Sequence, residues 1–326
     1  IQRVPCVGLC DQAPVDVLGQ RPIEHATLAT LQAALAAGHY QADIPATAEG
    51  LANYLANGGY QLYTQCRTGA LTTETIISTL EQSGLRGLGG AGFPVGRKWR
   101  IVKSQAAPRL MAVNIDEGEP GTFKDRYYLE REPHRFLEGM LIAAQVVGID
   151  AIDIYLRDEY AGIYQLLQHE LALLQQHFTD LPPIELRRGA GAYICGEESA
   201  MIESIEGKRG MPRLRPPYLA EVGLFGRPTL EHNMESLYWI RTLIEHGAEA
   251  FTAHGLNGRK GLRSFSVSGR VKHTGVHLAP AGITLRALID EYCGGMLEGH
   301  TLYGYLPGGA SGGILPASLA DLPLDF

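Results

Sequence analysis

Short apolar runs alternate with helical patterns through the middle of the chain. Leu110 to Ile115 and Ala151 to Leu156 are apolar runs of strand length, and between them apolar residues recur at helical spacing from Pro133 to Val147. A long helix is predicted over Glu159 to Gln176, and a third strand near Ile184 to Leu186. Strands that alternate with helices at this spacing form a parallel sheet. The pattern therefore predicts an α/β protein.

The flanking segments have weaker patterns. A Leu- and Ala-rich helix is predicted over Thr27 to Ala36, and the turn-rich residues after it are typical of a linker. A helix capped by Thr72 or Thr73 is predicted to end at Ser83, with loop structure after it.

A helix over Leu230 to His246 is predicted to close the central domain. Beyond it, short alternating runs at Ser264 to Val267, Val276 to Ala279 and Leu302 to Leu306, with one helix over Thr284 to Tyr292, indicate a small α+β module.

Composition and charge exclude several classes of function. The 326 residues include 28 basic and 35 acidic side chains, for a net charge of −7, and no run of five like charges occurs. A nucleic-acid partner or a required membrane contact is therefore not expected. The longest mostly apolar stretch, Gly139 to Ile152, is too short to cross a bilayer, and no signal segment opens the chain. We expect a cytoplasmic protein of two or three domains.

Six of the thirteen residues from Gly84 to Gly96 are glycine. Backbone N–H groups of such a loop can approach an anion closely because few side chains intervene, and Lys98 adds a positive charge. It is not a Walker loop, since no Ser or Thr follows the lysine. The pattern predicts a phosphate-binding loop, and the alternative is a flexible turn.

Three carboxylates, Asp116, Glu117 and Glu119, follow the first predicted strand within four residues. Loops at the carboxyl end of parallel strands face the ligand crevice, where carboxylates accept ring N–H groups and ribose hydroxyls. The alternative is a solvated acidic turn. A second glycine-rich stretch, Gly189 to Gly196, is followed by Glu197 and Glu198. Its Gly and Ala residues allow a flat ring to lie on the backbone. The alternative is structural, because acidic residues at positions 197 and 198 also stabilise the start of a helix.

Four long motifs occur in order between residues 70 and 326 and resemble the flavoprotein subunit that binds NADH and FMN in respiratory complex I, NAD-reducing hydrogenases and NAD-dependent formate dehydrogenases. They are GLRGLGGAGFPVGRKW, NIDEGEPGTFKDRYYLE, GAGAYICGEESAMIESIEGKRGMPRLRPPY and GLFGRPTLEHNMESL. The tripeptide EHN and the run RKGLRSFSVSGRV look most like the beta subunit of the soluble NAD-dependent formate dehydrogenase.

The resemblance implies a domain organisation. Residues 1–40 would be the carboxyl-terminal part of a thioredoxin-like domain, 41–70 a linker, 71–248 a Rossmann-like domain for FMN and NADH, and 249–326 a ubiquitin-like SLBB domain. The family's helical domain, whose cysteines hold a [4Fe–4S] cluster, has no counterpart in this sequence. We therefore expect a truncated chain or one that lacks the cluster region.

The resemblance also implies the ligand contacts. Expected FMN-binding residues are Gly87, Gly89, Gly90, Lys98, Asn114, Asp116, Glu117, Tyr193, Gly196, Glu197, His232 and Asn233. Expected NADH-binding residues are Phe93, Glu119, Glu198, Arg215 and Tyr218. No side chain is expected to be a proton-transfer catalyst, since hydride passes between the two cofactors.

Four positions depart from the family pattern. Tyr218 stands where relatives carry Phe, and Arg215 where some carry Lys, so stacking and a positive charge are retained. His232 replaces the first asparagine of a flavin-contacting pair and Ile101 replaces an aromatic residue, which puts those two contacts in doubt.

Cys6 and Cys10 resemble the second cysteine pair of a thioredoxin-like [2Fe–2S] domain. Such a cluster needs four ligands, so these two metal ligands are half of a possible site that residues before Ile1 would have to complete. The other cysteines are expected to be packing residues: Cys66, Cys195 and Cys293.

The resemblance implies FMN-dependent electron transfer between NAD(H) and iron–sulfur clusters, as the diaphorase subunit of a formate dehydrogenase. Its partners would be a [2Fe–2S] gamma-type subunit and a molybdenum- or tungsten-containing alpha-type subunit. The alternatives are the equivalent subunit of complex I or of an NAD-reducing hydrogenase, and a flavin-free scaffold.

Overall fold

The computed structural model of the chain describes residues 2–325, so Ile1 and Phe326, the outer ends of the first and last predicted domains, lie outside it. The described part begins with a β-hairpin and a helix. Thr27 caps this helix by accepting a hydrogen bond from the backbone N–H of Thr30 at 3.2 Å, as the predicted helix start requires. The elements are β1 (Asp16–Leu18), β2 (Arg21–Ile23) and α1 (Leu28–Ala37).

The segment predicted as a linker, 41–70, contains two helices in the structure. They are α2 (Leu51–Ala56) and α3 (Gln61–Thr68). Tyr54, Tyr60 and Tyr63 are buried in the main core. Two of their hydroxyls reach buried polar partners, since Tyr54 donates to Glu138 at 2.6 Å and Tyr60 lies 2.8 Å from Nδ1 of His134. Turn-rich composition is therefore a poor guide to burial here, because the tyrosines anchor the segment.

Two helices precede the sheet, α4 (Thr73–Ser83) and α5 (Val95–Lys103). The first has the predicted bounds, with Thr72 as N-cap and Gly84 in the left-handed conformation after it. The second replaces predicted loop structure: Val95, Trp99 and Val102 form one fully buried face. Lys98 therefore lies on a packed helix and not in a flexible loop.

The central sheet has four parallel strands in the order β5-β4-β3-β6. They are β3 (Leu110–Ile115), β4 (Ala151–Leu156), β5 (Ile184–Arg188) and β6 (Thr229–Asn233). The first two have the predicted bounds. The last is a correction, because residues predicted as the start of a helix pair with β3 and set Asn233 opposite Asn114. The predicted α/β class with a parallel sheet is confirmed.

Five further helices cover the sheet. They are α6 (Lys124–Leu129), α7 (Pro133–Val147), α8 (Ala161–His177), α9 (Glu198–Ile205) and α10 (Met234–Thr252). The α7 and α10 helices are in such close contact that a Cβ at Gly139 would lie 1.9 Å from the carbonyl oxygen of Leu237. This packing fixes α10, and with it the carboxyl end of β6, against the rest of the domain.

The carboxyl-terminal part forms a small module. Its elements are β7 (Leu262–Val267), β8 (Gly275–Pro280), α11 (Leu285–Ala287), a π-helical turn (Leu288–Tyr292), β9 (Gly304–Tyr305) and β10 (Leu315–Pro316). Ser264 and Ser266 of β7 hydrogen-bond to Tyr128 and to the backbone of Phe123 at 2.7 and 3.0 Å, so the module is joined to the central domain. Among residues 2–325, no helix has the length and apolarity needed to span a membrane.

Candidate functional site

The strand order changes direction between β3 and β6. The chain passes from β3 through α7 to β4 on one side, whereas β6 lies on the other side of β3. Ligands of open α/β sheets bind at such a switch point, beyond the carboxyl ends of the strands. A cavity of about 1290 Å³ opens there and extends to the carboxyl-terminal module. The predicted site residues that line it are Gly89, Gly90, Asn114, Asp116, Glu117, Glu119, Tyr193, Gly196, Glu197 and Asn233.

The two glycine-rich stretches meet at this cavity. Asn114 at the end of β3 donates from Nδ2 to the carbonyl oxygen of Gly196 at 3.0 Å and so ties the second stretch to the sheet. On the opposite side, a Cβ at Gly89 would lie 3.1 Å from Cβ of Asn233, tighter than ordinary contact. Glycine is needed at this point because the first loop lies directly against the end of β6.

Asp116 lines the cavity and carries a buried, unpartnered acceptor. The residue is buried, and its Oδ2 has no hydrogen-bond partner within residues 2–325. Burial raises the pKa of its carboxyl group to about 7, although the nearby Arg157 opposes the shift. An unpartnered buried acceptor is costly unless a ligand supplies a donor. Asp116 is therefore suited to accept an N–H group from a bound ring.

Glu117 is occupied by the protein itself. Its carboxylate accepts the backbone N–H groups of Asp125 and Arg126 at 2.9 and 3.2 Å, at the start of α6, and the hydroxyl of Tyr160 at 3.0 Å. Burial and the neighbouring Asp125 raise its pKa to about 7. Its side chain thus shapes the floor of the cavity, and a direct flavin contact by that side chain stays a prediction.

Lys98, His232 and Gly87 are outside the set of residues that line the cavity in the described part of the chain. Nζ of Lys98 donates to Glu231, to the carbonyl oxygen at 2.9 Å and to the carboxylate at 3.1 Å. Nε2 of His232 accepts from Trp99 at 2.8 Å, while its buried Nδ1 has no partner within the described residues. Lys98 therefore adjoins β6 rather than an open phosphate cradle.

Two predicted flavin contacts also cap helices. Glu197 accepts the backbone N–H groups of Ser199 and Ala200 at 3.0 and 2.9 Å and begins α9, and Asn233 accepts that of Glu235 at 3.2 Å and begins α10. Capping alone explains a carboxylate or amide at these positions. Because both helices start at the cavity, their N-termini also direct positive partial charge toward it.

The predicted nucleotide contacts lie farther out. Tyr193 donates from its hydroxyl to Glu119 at 2.5 Å, and both residues border the cavity. Arg215 lies 2.8 Å from Glu198. Phe93 and Tyr218 are exposed and are not among the described residues that line the cavity. The structure therefore brings Glu119 into the site and leaves the two predicted stacking rings at the surface.

Sequence reasoning missed a charged cluster at the cavity. Nζ of the half-buried Lys124 lies 2.7 Å from Asp125, 3.0 Å from Glu235 and 3.3 Å from Asn233. These carboxylates outweigh the effect of burial and raise the pKa of Lys124. A signal is present in the sequence, since Lys124 and Asp125 lie within the motif that begins at Asn114, but roles were predicted only for Asn114 and the acids before them.

The cysteine pair lies beside a second cavity. Sγ of Cys6 is 3.4 Å from Sγ of Cys10, and both thiols are free. Cys6 lines a cavity of about 440 Å³ that borders the main one. Among residues 2–325, no group of three or more His, Cys, Asp or Glu side chains is arranged to hold a metal. Their role as half of a [2Fe–2S] site stays a prediction.

Fold and site together define an α/β protein that binds a nucleotide-like ligand at a sheet switch point. A flavin mononucleotide fits the residues present: Asp116 offers an acceptor to a ring N–H, and Gly89 and Gly90 leave room for a group lying on the backbone. When bound, FMN supplies two-electron exchange with a nicotinamide and single-electron exchange with metal clusters.

Comparison with known proteins agrees with an FMN-binding site. Residues 80–242 match the model of the Nuo51 FMN-binding domain. The chain is 38% identical over 288 residues to the F 2 subunit of NADH-quinone oxidoreductase of Rhizobium meliloti, covering 85% of this chain and 68% of that protein. It is 40% identical over 284 residues to the F subunit of the same enzyme of Aquifex aeolicus, covering 84% and 65% of the respective chains.

Among solved structures, the chain is similar to one from an NAD⁺-reducing [NiFe]-hydrogenase in the air-oxidized state. The TM-score is 0.85 at 35% identity, over 98% of this chain and 58% of that one. This chain belongs to the family of the Nuo51 FMN-binding domain, which confirms the predicted family and its cofactor, FMN. It spans about two thirds of the length of the two curated relatives.

Proposed function

We propose that this chain is the diaphorase subunit of a larger complex and transfers electrons between NAD(H) and iron–sulfur clusters through bound FMN. The observation that carries the proposal is the meeting of both glycine-rich stretches at the β3–β6 edge, around a buried acceptor on Asp116 that lacks a partner within the described residues. A flavin-free scaffold would gain nothing from this arrangement, because the buried acceptor would stay unsatisfied.

The chain's own residues position the reactants in this proposal. Asp116 accepts a ring N–H, Asn114 holds the second glycine stretch in place, and Lys124 keeps Asn233 and Asp125 in register at the cavity floor. Glu119 and Glu198 accept ribose hydroxyls of the nucleotide. The buried setting excludes water from the ring-facing side. No side chain needs to transfer a proton, so the geometry alone accelerates the reaction.

Within the family, we propose a formate dehydrogenase complex. The sequence EHN at residues 231–233 and the run RKGLRSFSVSGRV support it, because they look most like the beta subunit of that enzyme. His232 is buried and accepts a hydrogen bond from Trp99 at 2.8 Å. The partners would be a [2Fe–2S] gamma-type subunit and a molybdenum- or tungsten-containing alpha-type subunit. The equivalent subunit of complex I or of an NAD-reducing hydrogenase is the alternative, since the similar proteins carry names of those kinds.

The test is to purify the full-length protein, release its cofactor and assay NADH oxidation with hexacyanoferrate(III). We expect one FMN per chain and two hexacyanoferrate(III) ions reduced per NADH, because each NADH carries two electrons. A colourless protein that refuses added FMN would favour the scaffold.

The parent complex is decided separately by native mass spectrometry of the complex isolated from its cells. A molybdenum- or tungsten-containing companion and formate-dependent NAD⁺ reduction support the formate dehydrogenase assignment. A nickel-containing companion, or a quinone reductase assembly, would replace that assignment and leave the diaphorase chemistry unchanged.

A further inference from the structure

A loop of the carboxyl-terminal module holds the side chain of Glu119. Ser311 donates its backbone N–H to Oε1 of Glu119 at 2.8 Å and its hydroxyl to Oε2 at 2.8 Å. The two residues are 192 positions apart in the sequence. We call residues 309–311 the latch. Glu119 lines the cavity and is expected to contact the nucleotide. Both of its carboxylate oxygens thus already accept hydrogen bonds from Ser311.

The pattern of these two donors matches that of a ribose. A ribose presents two adjacent hydroxyls that can each donate to one oxygen of a carboxylate. Ser311 presents an N–H and an O–H to the same two oxygens. Ser311 fills one acceptor position on each oxygen, and Oε2 also accepts from Tyr193, so a ribose that needs these positions would compete with the latch for Glu119.

Close packing of the latch backbone depends on glycine. A Cβ at Gly309 would lie 2.3 Å from Cγ of Glu119, and Gly309 has a φ of +85°. At Gly312, by contrast, an added Cβ meets nothing within 4 Å. The latch therefore contacts Glu119 through Gly309 and Ser311, and the loop residues after it, 312–314, are exposed.

The latch also divides the crevice. Glu119, Tyr193 and Ser311 line both the cavity of about 1290 Å³ and the neighbouring cavity of about 440 Å³. Release of Ser311 would remove one of the residues between the two spaces and leave the hydrogen bond from Tyr193 to Glu119 as another. A dinucleotide is an elongated ligand, so a wider connection between the two spaces suits it.

We propose that Ser311 is a positioning residue that holds Glu119 until NAD(H) displaces it, so that the latch sets the affinity of the site for the nucleotide. The inference rests on the proposed function, since it needs the nucleotide to use Glu119. A site whose competent state is only partly populated binds its ligand with an affinity reduced by that fraction. Weakening the latch should therefore tighten nucleotide binding without changing the chemical step.

The first test uses the full-length, FMN-loaded protein and the variants Ser311→Ala and Gly309→Ala. We expect the KM for NADH to fall about threefold in the first and about fivefold in the second, with kcat unchanged, because only the latched, nucleotide-free protein is destabilised. The matched controls are Ser318→Ala, an exposed serine of the same module, and Gly312→Ala; both should keep the wild-type KM. An unchanged or raised KM in both latch variants overturns the proposal.

The second test needs no variant. Hydrogen–deuterium exchange of the peptide that contains Ser311 is measured with and without saturating NADH in the absence of oxygen. We expect faster exchange with NADH, because the Ser311 N–H loses its acceptor. Slower or unchanged exchange overturns the latch. A wild-type protein that holds FMN but does not oxidise NADH overturns the proposed function as well, whereas normal oxidation with unaltered exchange overturns the latch alone.

Discussion

The inner and outer halves of the site differ in how complete they are. In the inner half, at the ends of β3 and β6, Asn114, Asp116 and Asn233 are buried or half-buried and held by backbone and side-chain hydrogen bonds. In the outer half, Tyr193 and Ser311 are exposed and donate hydrogen bonds to Glu119. The inner half is thus held by buried or half-buried groups, whereas the proposed latch requires the outer half to exchange partners when the nucleotide binds.

The pKa values of the carboxyl groups in the two halves are shifted in opposite directions, although Asp116 and Glu119 lie only three positions apart. Burial raises the pKa of Asp116 to about 7. Burial would also raise that of Glu119, but hydrogen bonds from Tyr193 and Ser311 outweigh it and hold the pKa below its ordinary value. One loop therefore provides a carboxyl group that is about half ionised near pH 7 toward the ring and a carboxylate toward the nucleotide, because of the two side chains only that of Glu119 receives hydrogen bonds among the described residues.

The largest effect is expected at the bond that joins the two glycine stretches. Replacing Asn114 by alanine removes the donor to Gly196 and the acceptor for the N–H of Asp116. FMN binding should weaken about 30-fold, roughly 2 kcal/mol for two hydrogen bonds in a half-buried site. The measurement is titration of the flavin-free protein with FMN. The exposed Asn53→Ala is the control, and equal affinity in both variants would show that the two stretches act independently.

Asp116 should make FMN binding depend on pH. With a pKa of about 7, its ionised, accepting form rises about tenfold between about pH 6 and about pH 8, so FMN binding should tighten by up to about tenfold over this range. In Asp116→Asn the dependence should become smaller, and what remains would report Glu117, whose pKa is also about 7. A wild-type affinity that is flat over this range would contradict the role of Oδ2.

The same group affects the stability of the flavin-free protein. Its folded-state pKa lies above its ordinary value of 3.8, so its stabilising contribution is present at low pH and is lost as pH rises through about 7. The melting temperature of Asp116→Asn relative to wild type should therefore increase from about pH 5 to about pH 8. Asp290→Asn, at an exposed position, should show no such trend.

The outer half should affect the nucleotide and not the flavin. Glu119→Gln and Glu198→Gln each remove an acceptor charge, so the KM for NADH should rise about fivefold while FMN retention stays at the wild-type level. Glu221→Gln, exposed and away from the cavity lining, is the control. Loss of FMN in step with loss of NADH oxidation would mean that the two halves are not separable.

The smallest effect is expected for Lys98→Ala. Its Nζ is bound to Glu231 in the middle of β6, so the substitution should lower FMN occupancy about threefold by shifting β6 and by removing a positive charge. Occupancy is measured by cofactor release, with the exposed Lys272→Ala as control. A fully loaded Lys98→Ala protein would remove this lysine from the site.

Strong local signals predicted much of the fold. The apolar runs of β3 and β4 and the capped helix α4 have the predicted bounds. In contrast, β6 was missed because its sequence, TLEHN, has polar residues where a buried strand ordinarily has apolar ones. Glu231 and His232 tolerate burial through Lys98 and Trp99, each 133 positions away, which no local pattern can reveal.

For the site, too, the sequence motifs predicted the parts that depend on local sequence, and the long-range contacts were missed. The motifs located both glycine stretches and the acids after β3, because each lies at the end of a recognisable strand or the start of a helix. The contact between Ser311 and Glu119 joins the carboxyl-terminal module to the central domain and depends on tertiary packing alone. The same holds for Lys124, whose role depends on Glu235 of a different helix.

The most direct test of the account is a crystal structure of the protein with FMN bound. We predict the isoalloxazine ring in the crevice between the ends of β3 and β6, with a ring N–H within hydrogen-bonding distance of Oδ2 of Asp116 and with both glycine stretches against it. A flavin bound elsewhere, or a crevice that stays closed while Asp116 finds another partner, would contradict it.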